Sequence, residues 1–169
     1  MVHLVTGGAR SGKSRFVLGQ AEDVAGPIDF VATAEAHDDD MAARIARHRQ
    51  ERGPRYRLTE APARLPEALV GLGDGGAIVV DCLTMWVANL VLGGLATGDV
   101  AERVGALCSA LDAQRRPVWV VTNEVGMGIV PDNALSRGFR DELGKCNQRV
   151  AAVATRVWLL VAGVPLGLK

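Results

Sequence analysis

Gly7-Gly8-Ala9-Arg10-Ser11-Gly12-Lys13-Ser14 is the stretch that decides the reading of this chain. It satisfies G-x-x-x-x-G-K-[ST], a loop whose glycines let backbone N–H groups wrap a phosphate chain. In that pattern Lys13 reaches the β- and γ-phosphates, and the Ser14 hydroxyl binds Mg²⁺. The flanks agree with it. An apolar strand over 3–6 precedes the loop and a helical pattern over 13–25 follows, so a helix N-terminus faces the anion. Lysine is scarce, three residues against 16 arginines, yet one stands where the motif requires it.

A phosphate loop needs a second metal-orienting acid at the end of a nearby strand. Ala77-Ile78-Val79-Val80-Asp81 supplies one, and Asp81 is expected to hold Mg²⁺; the competing reading is an Asp that ends a strand and caps the next helix. A third strand ends in Thr122-Asn123-Glu124, followed by Gly126-Met127-Gly128. Those polar groups suggest substrate contact with Glu124 as a possible base, or else simply a turn.

Further out, short β-branched runs alternate with longer helical patterns. Strands are expected over 3–6, 28–33, 77–81, 117–122 and 156–162, with a weaker one over 55–59. Several are apolar on both faces, as in Val118-Trp119-Val120-Val121, which implies a parallel sheet covered on both sides. Helices are expected over 13–25, 38–52, 64–72, 83–92, 100–115 and 133–154. The second opens with Asp38-Asp39-Asp40 and closes on Arg44, Arg47, Arg49 and Arg52, acids first and bases last, as the helix dipole favours. The last carries a stripe of Leu135, Phe139, Leu143, Cys146, Val150 and Val153. Strand–helix alternation gives an α/β fold with a mostly parallel central sheet and helices on both faces, in one domain spanning 1–169. Ligands in such sheets collect at the C-terminal strand ends.

Composition narrows the function. The 19 Lys+Arg balance 19 Asp+Glu, which argues against nonspecific nucleic-acid binding and polybasic membrane association. Aromatics at 4% disfavour base-stacking platforms. The most apolar run, 85–96, is too short to span a bilayer. Three scattered cysteines, Cys82, Cys108 and Cys146, fit reduced thiols and a cytoplasmic protein better than a disulfide framework or zinc site.

Of the three histidines, His3 starts a buried strand and His37 precedes a helix. Met41, Ile45 and His48 share one helix face, so His48 is half turned to the core among arginines. Nearby cations keep an imidazole neutral and nucleophilic. The residues alone favour a partly buried structural histidine.

The chain resembles the bifunctional adenosylcobinamide kinase/adenosylcobinamide-phosphate guanylyltransferases of cobalamin biosynthesis. The resemblance rests on Val5-Thr6-Gly7-Gly8-Ala9-Arg10-Ser11-Gly12-Lys13-Ser14-Arg15, Met41-Ala42-Ala43-Arg44-Ile45 with His48, and Val121-Thr122-Asn123-Glu124-Val125-Gly126-Met127-Gly128-Ile129-Val130-Pro131. Asn147-Gln148-Arg149 and Val157-Trp158-Leu159 add to it, and the likeness runs over nearly the whole chain. It implies a RecA-like P-loop NTPase fold, a homotrimer, and ATP, GTP and a corrinoid as substrates, with Mg²⁺. It also implies two reactions: phosphorylation of the aminopropanol hydroxyl of adenosylcobinamide, then GMP transfer from GTP through a guanylylated histidine. That histidine falls on His48, which reverses the reading from the residues alone. Nucleotide-binding positions fall on Gly7, Gly8, Ala9, Arg10, Ser11, Gly12, Lys13, Ser14, Thr33, Ala34, Glu35, Arg49, Gln50, Glu51, Arg52, Glu60 and Asp81. The stretch 58–76 matches less well. The alternatives are a monofunctional P-loop kinase of a small metabolite and a noncatalytic nucleotide switch.

Overall fold

The computed structural model describes residues 1–35 and 53–169. The expected 38–52 helix, with His48 and Arg49 to Arg52, lies outside the described residues, as does His37.

The described chain builds one seven-stranded sheet: β1 (Val2–Gly7), β2 (Ile28–Ala32), β3 (Tyr56–Glu60), β4 (Ala77–Asp81), β5 (Val118–Val121), β6 (Arg156–Val161) and β7 (Val164–Gly167). The order is β3-β2-β4-β5-β1-β6-β7, parallel throughout except β7, which runs antiparallel to β6. Helices are α1 (Lys13–Glu22), α2 (Leu65–Val70), α3 (Leu83–Leu92), α4 (Thr97–Asp112) and α5 (Ala134–Val153).

Side chains alternate between two cores, because successive residues of a strand point to opposite faces. Leu4, Val31, Val80 and Val120 join Leu83, Trp86, Leu107, Leu143 and Val150 in one core, under α2 to α5. Val5, Phe30, Val79, Trp119 and Val121 join Val17 and Ala21 of α1 in the other. Both faces are therefore covered, which is why these strands read as continuous apolar runs.

Six expected strands are present within a residue or two of their expected ends. β7 is not among the expected strands. Its hairpin turns on Ala162 (φ 51°) and Gly163 (φ 84°), two consecutive positive φ values that match the strand twist. Pro165 is tolerated because β7 is an edge strand. Helix α4 starts at Thr97 rather than 100, with Asp99 in its first turn, where a carboxylate suits the dipole. Helix α5 opens on Asn133, whose Oδ1 accepts from the Ser136 N–H at 2.8 Å.

Strand register sets up the site. Glu60, Ala32, Asp81, Val121 and Val5 fall in one row across β3, β2, β4, β5 and β1. The chain continues from β1 into residues 7–14, and from β5 into Thr122-Asn123-Glu124. The expected phosphate loop, acid and polar strand end thus share the sheet's C-terminal edge.

Candidate active site

Backbone geometry shapes the loop at residues 7–14. Gly12 caps α1 in the left-handed region at φ 97°, and the Phe16 N–H donates to its carbonyl at 3.0 Å. A Cβ at Gly7 would stand 2.5 Å from the Leu160 carbonyl oxygen, and one at Gly12 3.2 Å from the Gly163 Cα. The loop is therefore wedged against β6 and the β6–β7 turn. The turn is fastened to it by the Gly163 N–H, which donates to the Ser11 carbonyl at 2.9 Å. That contact gives the unanticipated hairpin a reason to exist.

Lys13 is 93% buried, and its Nζ donates to the carbonyls of Gly7 (3.1 Å) and Gly8 (2.6 Å). The cation thus lies folded into the loop it serves, beside the positive end of the α1 dipole. The Ser14 hydroxyl donates to Asp81 Oδ2 at 3.2 Å. This joins the α1 N-terminus to the end of β4 across the intervening β5. A hydroxyl and a carboxylate at this spacing are hard oxygen donors of the kind Mg²⁺ accepts, so the residues fit that ion.

Thr33 follows β2 and is fully buried. Its hydroxyl donates to the Cys82 carbonyl (2.6 Å) and accepts from the Cys82 N–H (2.8 Å), while its own N–H donates to the Asp81 carbonyl at 3.1 Å. Thr33 stitches β2 to the residue pair that presents Asp81. Thr33→Val should leave the Cys82 N–H buried and unpaired, costing about 1–3 kcal/mol. A lowered thermal midpoint checks this; an unchanged midpoint with weakened nucleotide binding would instead make Thr33 a ligand contact. Ala34 is half-buried and Glu35 exposed, immediately beyond Thr33. Glu60 is exposed at the end of β3. It lies four strands from β1, on the order of 19 Å at ordinary strand spacing, so it stands apart from the loop.

The third strand end is more ordered than a turn requires. The Thr122 hydroxyl donates to Asn147 Oδ1 at 2.7 Å. The Asn123 amide and its backbone N–H both donate to the Thr84 hydroxyl at 3.0 Å. Glu124 Oε1 accepts from the Thr6 hydroxyl at 2.8 Å and from Asn147 Nδ2 at 3.2 Å. Sequence pattern alone gives Thr6, Thr84 and Asn147 no part in the site. The available signal was Asn147 itself, a buried amide inside the apolar Leu143–Cys146–Val150 stripe, where only a hydrogen-bonding role justifies it.

The thiol beside Asp81 is inert. Burial and the neighbouring Asp81 carboxylate push the Cys82 thiol up to about 11. His3 stacks on Trp119 with ring centroids 4.0 Å apart, at the opposite end of β1, and burial lowers its pKa. It packs, as its strand position suggested.

Among the described residues no helix is long and apolar enough to cross a membrane. Similarity to known proteins agrees with this geometry. Solved structures share the fold at low sequence identity. The protein designated PH0250 of Pyrococcus horikoshii OT3 matches with a TM-score of 0.61 at 10% identity, over 99% of this chain and 85% of its own. A KaiC-like protein of the same organism gives 0.52 at 16% identity, over 94% and 69%. The RadB recombinase gives 0.51 at 15%, over 94% and 73%. The fold is the RecA-like P-loop fold. Among curated proteins, the "Bifunctional adenosylcobalamin biosynthesis protein CobU" of Salmonella typhimurium is 41% identical, with both chains covered in full. The CobP protein of the same description from Pseudomonas aeruginosa is 39% identical, over all of this chain and 98% of its own. A family model described as "Cobinamide kinase / cobinamide phosphate guanyltransferase" matches residues 3–168. With similarity spanning the whole chain, and the phosphate loop, Asp81 and the Thr122-Asn123-Glu124 strand end on one sheet edge, the chain belongs to the cobinamide kinase/cobinamide phosphate guanyltransferase family.

Proposed function

We propose that this single domain, residues 1–169, phosphorylates adenosylcobinamide from ATP or GTP and then joins the product to GMP from GTP, giving adenosylcobinamide-GDP. The observation that carries this reading is the junction of Ser14 with Asp81 beside a buried Lys13, a triphosphate cradle, in a chain 41% identical to bifunctional relatives.

In the kinase reaction the acceptor hydroxyl attacks the γ-phosphorus, an O–P bond forms, and the bond to the bridging oxygen breaks. Loop N–H groups and Lys13 bind the phosphates, and Lys13 takes up negative charge gathering on the leaving nucleoside diphosphate. Ser14 and Asp81 would hold Mg²⁺, whose charge would neutralise the β- and γ-phosphate oxygens. In the second reaction the neutral imidazole of His48 attacks the α-phosphorus of GTP and pyrophosphate departs. A phosphate oxygen of adenosylcobinamide phosphate then displaces the imidazole. Splitting one displacement into two easier ones is the usual gain of covalent catalysis. The arginines beside His48 (Arg49 and Arg52), with Gln50 and Glu51, suit the α-phosphate or the corrinoid phosphate, since planar guanidinium groups bind phosphate in a fork. Thr33, Ala34, Glu35 and Glu60 complete the proposed nucleotide-binding set. For Thr33, the shape of the strand end is what remains to offer, since its hydroxyl, N–H and carbonyl are committed to Cys82, Asp81 and Asn89.

The working form is proposed to be a homotrimer in the cytoplasm, in keeping with three free thiols. Exposed Val161, Val164, Leu166 and Leu168 along the β6–β7 edge supply apolar surface for assembly.

Incubation with GTP and adenosylcobinamide, followed by mass analysis of protein and corrinoid, tests the reading. It requires GMP on the protein and both phosphate and GDP forms of the corrinoid. A kinase product with no protein adduct at any time would reduce the chain to the monofunctional alternative. Asp81→Asn keeps the size and removes the charge. It should raise the Mg²⁺ concentration for half-maximal rate and slow phosphoryl transfer about tenfold or more. An unchanged metal titration would return Asp81 to a structural cap.

A further inference from the structure

The two proposed reactions differ in one chemical demand. The kinase acceptor is a neutral alcohol, which must lose a proton as its oxygen bonds to phosphorus. The guanylyl acceptor is a phosphate, already ionised, and His48 attacks as a neutral imidazole. One proton acceptor is therefore needed, and for the kinase step alone.

We propose that Glu124 is that general base and that Thr6 and Asn147 are its positioning residues. The inference rests on the two-reaction reading above and deepens it. Glu124 follows β5, the strand between the phosphate-loop strand β1 and the Asp81 strand β4. It is half-buried. Its carboxylate is tied by the Thr6 hydroxyl at 2.8 Å to the residue directly before Gly7. Behind it, Asn147 is 93% buried and fully engaged: Oδ1 accepts from Thr122, and Nδ2 donates to the Asn123 carbonyl (3.0 Å) and to Glu124 (3.2 Å). An amide thus reads the strand end and sets the carboxylate at once. Among the described residues both hydrogen bonds to Glu124 fall on Oε1, and Oε2 is the oxygen left to accept a proton. The step balances simply. The acceptor O–H proton passes to Glu124 Oε2, the oxygen bonds the γ-phosphorus, and the nucleoside diphosphate leaves with the bridging-bond electrons. The two donated hydrogen bonds fix the carboxylate, so the base is aimed before substrate arrives.

The alternative is a latch, in which Glu124 only pins β5 to β1. Glu124→Gln separates the two, because the Gln oxygen can still accept from Thr6 and Asn147. Its kinase rate in single turnover with ATP and adenosylcobinamide should fall about 100-fold, the low end for a general base. Its nucleotide KM and its labelling by α-labelled GTP should stay within about threefold of wild type. Wild-type kinase activity in Glu124→Gln, or an equal loss of both activities, overturns the proposal while leaving the two-reaction reading intact. A wild-type chain that forms no phosphorylated corrinoid overturns both. Should Glu124→Gln fold poorly, Asn147→Asp and Thr6→Val carry the test. The first places a like charge beside Glu124 and the second removes a donor to it. Each disturbs the aim of the carboxylate, so the kinase rate should fall about tenfold or more while labelling by α-labelled GTP stays within about threefold of wild type. A wild-type kinase rate in both variants, or an equal loss of both activities, overturns the positioning role.

Discussion

Lys13→Ala should abolish both proposed activities together, each by about 10³-fold in kcat/KM. The magnitude follows from what one buried charge-stabilising group contributes when its charge develops only in the transition state. The joint loss follows from architecture. One phosphate loop is present in the chain, and both reactions, as proposed, break a phosphoanhydride bond of a triphosphate seated in it. In the kinase step negative charge gathers on the leaving diphosphate, and in the guanylyl step on the leaving pyrophosphate. In the proposed cradle Lys13 stands on the same β/γ side in both cases. The buried ammonium also holds two loop carbonyls, of Gly7 and Gly8, so its loss loosens the loop as well as discharging it. Thermal midpoints with and without saturating GTP separate these effects. A folded variant whose midpoint no longer rises with GTP has lost the cradle. Full activity in either assay would show that the triphosphate for that reaction binds elsewhere.

What could be read from the sequence depended on how local the physics was. The phosphate loop was legible because its function is written in backbone conformation: glycine at 7 and 12 where φ is positive, and Lys13 and Ser14 at the first turn of α1. The continuous apolar runs at 77–81 and 117–122 revealed a sheet covered on both faces. The β6–β7 hairpin was hidden because Ala162-Gly163 lacks the Asn-Gly or Asp-Gly signature, and because Pro165 argues against a strand anywhere but an edge. Thr33 showed its position but not its direction. Its hydroxyl is committed to Cys82, 49 residues away in the chain, a partner no local pattern reveals. Asn147 and Thr6 were equally hidden, since their value lies in meeting Glu124 from 23 and 118 residues away. Asp81 could be found because a strand ending in an acid is a local signal. The partners of Glu124 could not, because they come from two distant elements, β1 and α5.

His48→Ala should eliminate protein labelling by α-labelled GTP while sparing most of the kinase activity. His48 lies 35 residues after Lys13 in the sequence, so its replacement need not disturb Gly7 to Ser14. Phosphoryl transfer depends on positioning and charge neutralisation, and a histidine nucleophile has no part in it. Covalent guanylyl transfer, by contrast, has no route without an imidazole at the α-phosphorus. The label on wild-type protein should be acid-labile and base-stable, as a P–N bond to imidazole is. The buried thiols cannot imitate it: burial pushes Cys146 up to about 12 and Cys82 to about 11, so neither is a thiolate at neutral pH. A purely structural His48 gives the opposite pattern, a modest stability loss shared by both activities and no label in the wild type. Label that survives His48→Ala and disappears only when His37 is also replaced would move the nucleophile to His37. The combined expectation is sharp, because Lys13→Ala, Glu124→Gln and His48→Ala sort into three classes. The first loses both reactions, the second loses the one that must remove a proton, and the third loses the one that must form a covalent bond to the protein.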